Sequence, residues 1–163
     1  MKANIFVAAL LLFCLGCTSQ QSDQLTQQQK DQITKEVKAV LDSIFARAER
    51  LDGEGALQYY SPEVVVNHSA LIDYQAYKKG WIDFDSAAAT VKWTTVRCEY
   101  IVLSKDLVIS AWVGKMEFLL KSGDKTTINP QGYTDVYKRV GGQWKVIYEH
   151  ASGILVTQKA EKK

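Results

Sequence analysis

The sequence predicts an α+β fold in which helices come first and a mostly antiparallel sheet follows. Three observations carry this expectation. Ile33, Val37, Val40, Leu41, Ile44, Ala48 and Leu51 recur at i, i+4, i+7, i+8, i+11, i+15 and i+18, which is one face of a long helix. From Thr90 onward the pattern changes to long strand-like segments separated by short turn signals. The chain has 163 residues, 47% hydrophobic and 23% charged, which suits one globular domain and rules out a multidomain enzyme or a multi-span membrane protein.

Met1 to Asn4 is a short basic start, and Ile5 to Leu15 is an almost unbroken apolar run. That run is too short to span a bilayer, which needs about 20 residues, and has the length of a secretory signal core. It ends at Leu15-Gly16-Cys17, which resembles a bacterial lipobox, with Cys14 standing where that pattern usually has Leu. Residues 1–16 are therefore expected to be a lipoprotein signal peptide, with Cys17 lipidated at the new N-terminus. Residues 17–29 are Gln-rich without an apolar period and read as a flexible tether. With no Lys-plus-acidic run after Cys17, the expected location is the outer membrane, facing the periplasm. Removal of Cys14 and lipidation of Cys17 leave Cys98 as the one thiol, so neither an internal disulfide nor a Cys-rich zinc site is expected.

The domain is expected over 30–157, followed by a solvated tail over 158–163. Thr26-Gln27-Gln28-Gln29 has capping-box spacing at the head of the long helix, and Gly53 is expected to mark its end. Asp52 can cap a short second helix holding Ala56, Leu57, Tyr59 and Tyr60, closed by Ser61-Pro62. Glu63 to His68 is β-branched and reads as a strand. Asp73 to Phe84 reads as a third helix, with Tyr74, Tyr77 and Trp81 at helical spacing. Four long strands follow, over 90–103, 107–121, 125–139 and 143–157. Their turn signals are Lys105-Asp106, Ser122-Gly123-Asp124 and Gly141-Gly142.

Counting residues back from the turns predicts the sheet faces. The Gly141-Gly142 turn sets Arg139 opposite Trp144, Tyr137 opposite Val146, Asp135 opposite Tyr148 and Tyr133 opposite His150. The Ser122-Gly123 turn sets Trp112 opposite Tyr133 and Ser110 opposite Asp135. Ser110, Trp112, Tyr133, Asp135, Tyr148 and His150 are thus expected on one face. Lys115, Glu117, Lys138, Lys145 and Glu149 are expected on the other. One bulge would reverse either assignment. On the first long strand, turn length favours Arg97, Glu99 and Ile101 inward, whereas hydrophobicity favours Val96, Cys98, Tyr100 and Val102. Hydrophobicity is followed here.

This order of elements resembles the SnoaL-like, ketosteroid-isomerase-like group of the nuclear transport factor 2-like superfamily. The most similar stretch is Gly132-Tyr133-Thr134-Asp135-Val136-Tyr137, then Gly141-Gly142-Gln143-Trp144, ending in Trp144 to Ser152. The resemblance implies a cone-like roll, three N-terminal helices packed on a strongly curved mixed, mostly antiparallel sheet, with a pocket at the open end. It also implies that the chain can form a homodimer through the outer sheet face. It implies no particular activity, because the fold hosts both enzymes and binding modules.

The expected pocket is walled by His68, Tyr74, Trp81, Trp112, Tyr133 and Tyr148, suited to a small apolar or carbonyl-containing ligand. The same aromatics also read as ordinary core filling. Asp135 and His150 are the candidate acid and base, since a dry pocket moves either toward a useful pKa. They also read as a buried Asp and His satisfied by Tyr hydroxyls and backbone, with no catalytic role. Ketosteroid isomerases carry a Tyr on the inner face of the first helix and an Asp near the strand after the helices. Here that face has no Tyr and that region, Val65 to Ser69, has no Asp, the next being Asp73. This argues against a true ketosteroid isomerase, and His68 could serve as base instead. With two His and no ligand spacing, no metal is expected, and no cofactor motif or phosphate loop is present. A net charge of +2 argues against nucleic acid as a partner. The expected function is a membrane-anchored ligand-binding domain. The alternatives are a cofactor-free isomerase, lyase or cyclase and a protein-interaction module with a filled pocket.

Overall fold

The computed structural model describes residues 24–160. The signal sequence, Cys17 and most of the tether lie outside the described residues. Helix α1 spans Gln27–Ala48, so Gln27 to Gln29, read above as tether, form its first turn. The Thr26 hydroxyl accepts from Gln29 N–H at 3.2 Å, and the Gln29 side chain accepts from Thr26 N–H at 2.8 Å, closing the capping box. Ile33, Val37, Leu41, Ile44 and Ala48 are buried along one stripe. The helix stops before Leu51, which adopts a φ of +57°, while Asp52 N–H reaches back to the Arg47 carbonyl at 3.0 Å. This is a Schellman-type closure in which Leu51, not Gly53, turns the chain.

Gly53 instead opens helix α2, Gly53–Leu57, capped by Asp52, whose carboxylate accepts from Gly55 N–H at 3.0 Å. Strand β1 spans Tyr60–Asn67 and takes in Tyr60, Ser61 and Pro62, which were expected to finish a helix. Proline holds the residue before it extended, which suits a strand start as well as a helix stop. A two-residue strand β2, Leu71–Ile72, was not anticipated. Helix α3 spans Tyr74–Ala87, capped by Asp73, and passes through Gly80 without a break. Strands β3 (Ala88–Ser104), β4 (Leu107–Leu120), β5 (Lys125–Val140) and β6 (Gln143–Gln158) follow.

The strands form one six-stranded sheet in the order β2-β1-β6-β5-β4-β3. Only β1 and β6 run parallel, so the sheet is mixed and mostly antiparallel. Bulges interrupt several ladders, and each bends its strand and sharpens the local twist. The curved sheet and the helices enclose a core that joins Val37 and Ile44 of α1 to Val66, Val108, Tyr137 and Val146.

Bulges also decide which residues face inward. In β3 the extra residues Leu103 and Val96 shift the register, so Cys98 pairs with Trp112, Tyr100 with Ser110 and Val102 with Val108. Hydrophobicity therefore wins over turn length for Cys98, Tyr100 and Val102, while Val96 sits 78% exposed at its bulge. Between β4 and β5, Trp112 pairs with Tyr133 and Ser110 with Asp135, as counted from the turn. Between β5 and β6 the count fails. Arg139 pairs with Trp144 and Tyr137 with Val146, but Val136 then pairs with Tyr148, leaving Ile147 as an extra residue. Asp135 consequently faces Glu149, and Tyr133 faces Ala151.

Candidate functional site

The extra residue Ile147 corrects the sequence reading at its most important point. Glu149, expected on the solvated face, is turned inward and only 2% exposed. Tyr148 and His150 alternate with it and lie on the opposite face, half-buried and outside the cavity described below. Asp135 and Trp112 do point inward, at 3% and 1% exposure.

Four groups meet at Glu149. Tyr60 donates its hydroxyl to Oε2 at 2.7 Å, and Tyr77 donates to Oε1 and Oε2 at 2.8 and 3.0 Å. His68 Nε2 lies 2.7 Å from Oε1. On the neighbouring strand, Asp135 completes the group as the cross-strand partner of Glu149. Burial, then the Glu149 charge, raises the pKa of Tyr60 and Tyr77 well above the usual phenol range, so both keep their protons and donate. With the carboxylate accepting, His68 presents an Nε2–H to Glu149, and Nδ1 is the ring's other nitrogen. β1 brings Tyr60 and His68 to the site because it lies parallel beside β6, with Val66 paired to Glu149.

The second carboxyl is in a different condition. Asp135 Oδ2 accepts from Tyr137 at 3.1 Å, while Oδ1 has no hydrogen-bond partner among the described residues. Burial first and the Glu149 charge second push its pKa well above the ordinary carboxylate value. Two adjacent carboxyls thus sit in different surroundings, one with three side-chain partners and one with a single one, the kind of contrast acid–base sites use.

An open cavity of about 260 Å³ lies between α3 and the inner sheet face. α3 contributes Tyr77, Trp81 and Phe84 on successive turns. The strands contribute Trp93, Met116 and Tyr133, and His68 follows directly after β1. Beneath it lies a void of about 20 Å³ that reaches Asp135 and Glu149. Tyr77, Trp81, Trp93 and Tyr133 line both spaces. Burial, then the charge of Glu149, keeps the Tyr133 phenol protonated.

Of the residues expected to wall the pocket, His68, Trp81 and Tyr133 line the cavity. Trp112 does not; it is buried behind Trp93 and Tyr133, with its N–H on Thr95 Oγ1 at 2.8 Å. Tyr74 is half-buried against the core and outside the cavity lining. Sequence reasoning missed Glu149, Tyr60 and Trp93 as site residues. Tyr77 carried a usable signal, since it shares its helix face with Trp81. No group of three or more His, Cys, Asp or Glu among the described residues could hold a metal.

No family model matches the sequence, and no curated protein matches it. Solved structures do match in shape. A scytalone dehydratase-like protein of Novosphingobium aromaticivorans DSM 12444 superposes with a TM-score of 0.74 at 11% identity, covering 85% of this chain and 94% of that one. A dehydratase-like protein of the nuclear transport factor 2-like family from Streptomyces avermitilis gives 0.67 at 14% identity, covering 76% and 97%. A hexachlorocyclohexane dehydrochlorinase from Novosphingobium barchaimii LL02 gives 0.66 at 10% identity, covering 82% and 94%. The chain has the fold of the nuclear transport factor 2-like proteins, with a cavity between its third helix and the inner face of the sheet.

Proposed function

We propose that the cavity binds a small, largely apolar compound and that His68 removes a proton from one of its carbons, making the chain a cofactor-free lyase or isomerase. The observation that carries this reading is the 2.7 Å contact of His68 Nε2 with buried Glu149 at the wall of an aromatic cavity. In the proposed step a C–H bond breaks and its proton goes to His68 Nδ1. Glu149 stabilises the imidazolium that results. The electron pair left on carbon forms a double bond as a leaving group departs, or an enolate that is reprotonated elsewhere. The Tyr133 phenol is placed to donate to an oxygen gaining charge. The neighbours named for dehydratase and dehydrochlorinase activity support the lyase branch, since loss of water or hydrogen chloride also removes a proton from the substrate.

Hydrogen–deuterium exchange at the α-carbon of cyclic ketones in heavy water, followed by NMR, tests this. The chain should catalyse exchange, and His68→Gln should lose it by roughly a hundredfold or more. His150→Ala should leave it intact. Exchange unaffected by His68→Gln would sink the reading. Binding without turnover is the second reading, favoured by the aromatic lining; it predicts tight binding with no exchange in any variant.

Two further proposals concern placement. The domain hangs from a membrane by lipid on Cys17, so a fatty-acid label should enter the chain and be lost in Cys17→Ala. The outer sheet face pairs with a second copy. In support, the register aligns Ile101, Ile109, Val136, Tyr148 and Val65 in one row across that face, with Ile101 and Val65 56% and 44% exposed. Tyr148→Asp should convert a dimer to monomer in light scattering; a wild-type monomer at the same concentration would refute it.

A further inference from the structure

The inner face of the sheet carries an apolar row that leads out of the cavity. Trp93 pairs with Met116, Met116 with Ile128, and Ile128 with Leu155, so all four side chains share that face. Trp93 and Met116 line the cavity. Ile128 is half-buried, and Leu155 is 59% exposed. β1 accompanies β6 only as far as the pairing of Asn67 with His150. Leu155 therefore stands where β6 has no neighbouring strand on that side among the described residues. Gly153 keeps the row level. A Cβ there would lie 2.4 Å from Ile128 Cγ2, so Ile128 rests directly over the glycine. The inner-face rows on either side are Gly114–Gln131–Gly153 and Phe118–Thr126–Thr157, and neither carries a charge.

We infer that Met116, Ile128 and Leu155 form a shelf for an uncharged hydrocarbon chain, carried by a ring that sits in the aromatic cavity. The ligand class is thus an alkyl-substituted ring compound of lipid character. A single exposed leucine is ordinary. One at the end of an unbroken apolar row leading out of a cavity is placed for contact. The cavity's volume of about 260 Å³ is small for a ligand pocket, so a ring fills it and a longer substituent has to leave. The shelf gives that substituent a route free of charged side chains. From Met116 to Leu155 is two strand spacings, about 10 Å, the reach of a medium-length chain. Ile154 and Val156 are 62% and 58% exposed but alternate onto the opposite face, so they lie outside the route. This inference rests on the reading of the cavity as the ligand site.

The test uses cyclohexanones carrying a 4-alkyl chain from methyl to octyl, with affinities measured by calorimetry. Each methylene beyond butyl should tighten binding by about twofold, half the free energy of complete burial, because one side of the shelf is open. Octyl should therefore bind about fifteenfold more tightly than butyl. Leu155→Asn should flatten this dependence and leave the methyl compound's affinity unchanged. Its side chain is exposed, so the variant keeps the core. Val156→Asn is the matched control on the other face and should keep the full dependence. In NMR the octyl chain should show contacts to the Leu155 methyl groups and none to Val156. A chain-length dependence equal in Leu155→Asn and wild type, or absent from wild type, overturns the inference. So does a Leu155→Asn variant that changes mass in light scattering with the dependence intact, since a second copy then covers the shelf. If the methyl compound binds and chain length has no effect, the shelf alone fails. If chain length acts through Leu155 while His68→Gln leaves deuterium exchange unaltered, the shelf stands and the lyase reading fails. If no member of the series binds, both fall.

Discussion

Glu149 and Asp135 sit side by side on adjacent strands, and their surroundings pull them apart. Glu149 collects hydrogen bonds from Tyr60, Tyr77 and His68, whereas among the described residues Asp135 has one from Tyr137. The raised pKa of Asp135 has a sign that can be checked. Its folded form keeps a proton that the unfolded chain releases above its ordinary value of 3.8, so stability is greatest below that pH and falls as pH rises toward the folded value. Asp135→Asn removes the titration while keeping the shape. It should therefore raise stability at neutral pH relative to wild type, with the gain shrinking toward pH 4. Urea unfolding at several pH values measures this; a variant less stable at neutral pH would show that the charged form is favoured inside.

Among the elements, α1 is held to the β5–β6 hairpin by a charged cluster. Arg139 donates to Glu36 Oε2 at 2.7 Å, Trp144 donates to the same oxygen, and the Arg139 guanidinium stacks 4.5 Å from the Trp144 ring. The hydrogen bonds from Trp144 and then Arg139 lower the Glu36 pKa to about 2. A depressed carboxylate pKa gives stability that is present above its ordinary value and lost as pH falls through the folded value. Glu36→Gln should thus lower the melting temperature at neutral pH, and the deficit should close between about pH 4.5 and 2. The β3–β4 contact makes a second demand. A Cβ on Gly114 would lie 2.2 Å from the Thr94 carbonyl oxygen and 2.4 Å from the Trp112 ring. Gly114→Ala should cost about 1–3 kcal/mol in chemical denaturation, as overpacking does. An unchanged midpoint would mean that β3 yields easily.

For the whole molecule, the fold was legible because its signals are long and redundant. Six apolar positions from Ile33 to Ala48 define α1, and the glycine-bearing turns Ser122-Gly123-Asp124 and Gly141-Gly142 separate β4 from β5 and β5 from β6. The site was less so. Trp81, Tyr133 and Asp135 could be nominated because helix spacing and two-residue periodicity placed them, and His68 because it ends the strand where ketosteroid isomerases place their base. Glu149 could not, because a bulge is a matter of one residue and leaves no mark in composition or periodicity. Trp112 was misplaced for another reason: an inward direction does not tell whether a ring meets empty space or another ring.

The extra residue in β6 has one more implication. Which chemistry the chamber presents depends on a residue count as much as on residue identity. Loss of a single codon at Ile147 would rotate Tyr148 and His150 indoors and evict Glu149. Relatives of this chain are therefore better compared by the side of the strand a residue occupies than by its column in an alignment.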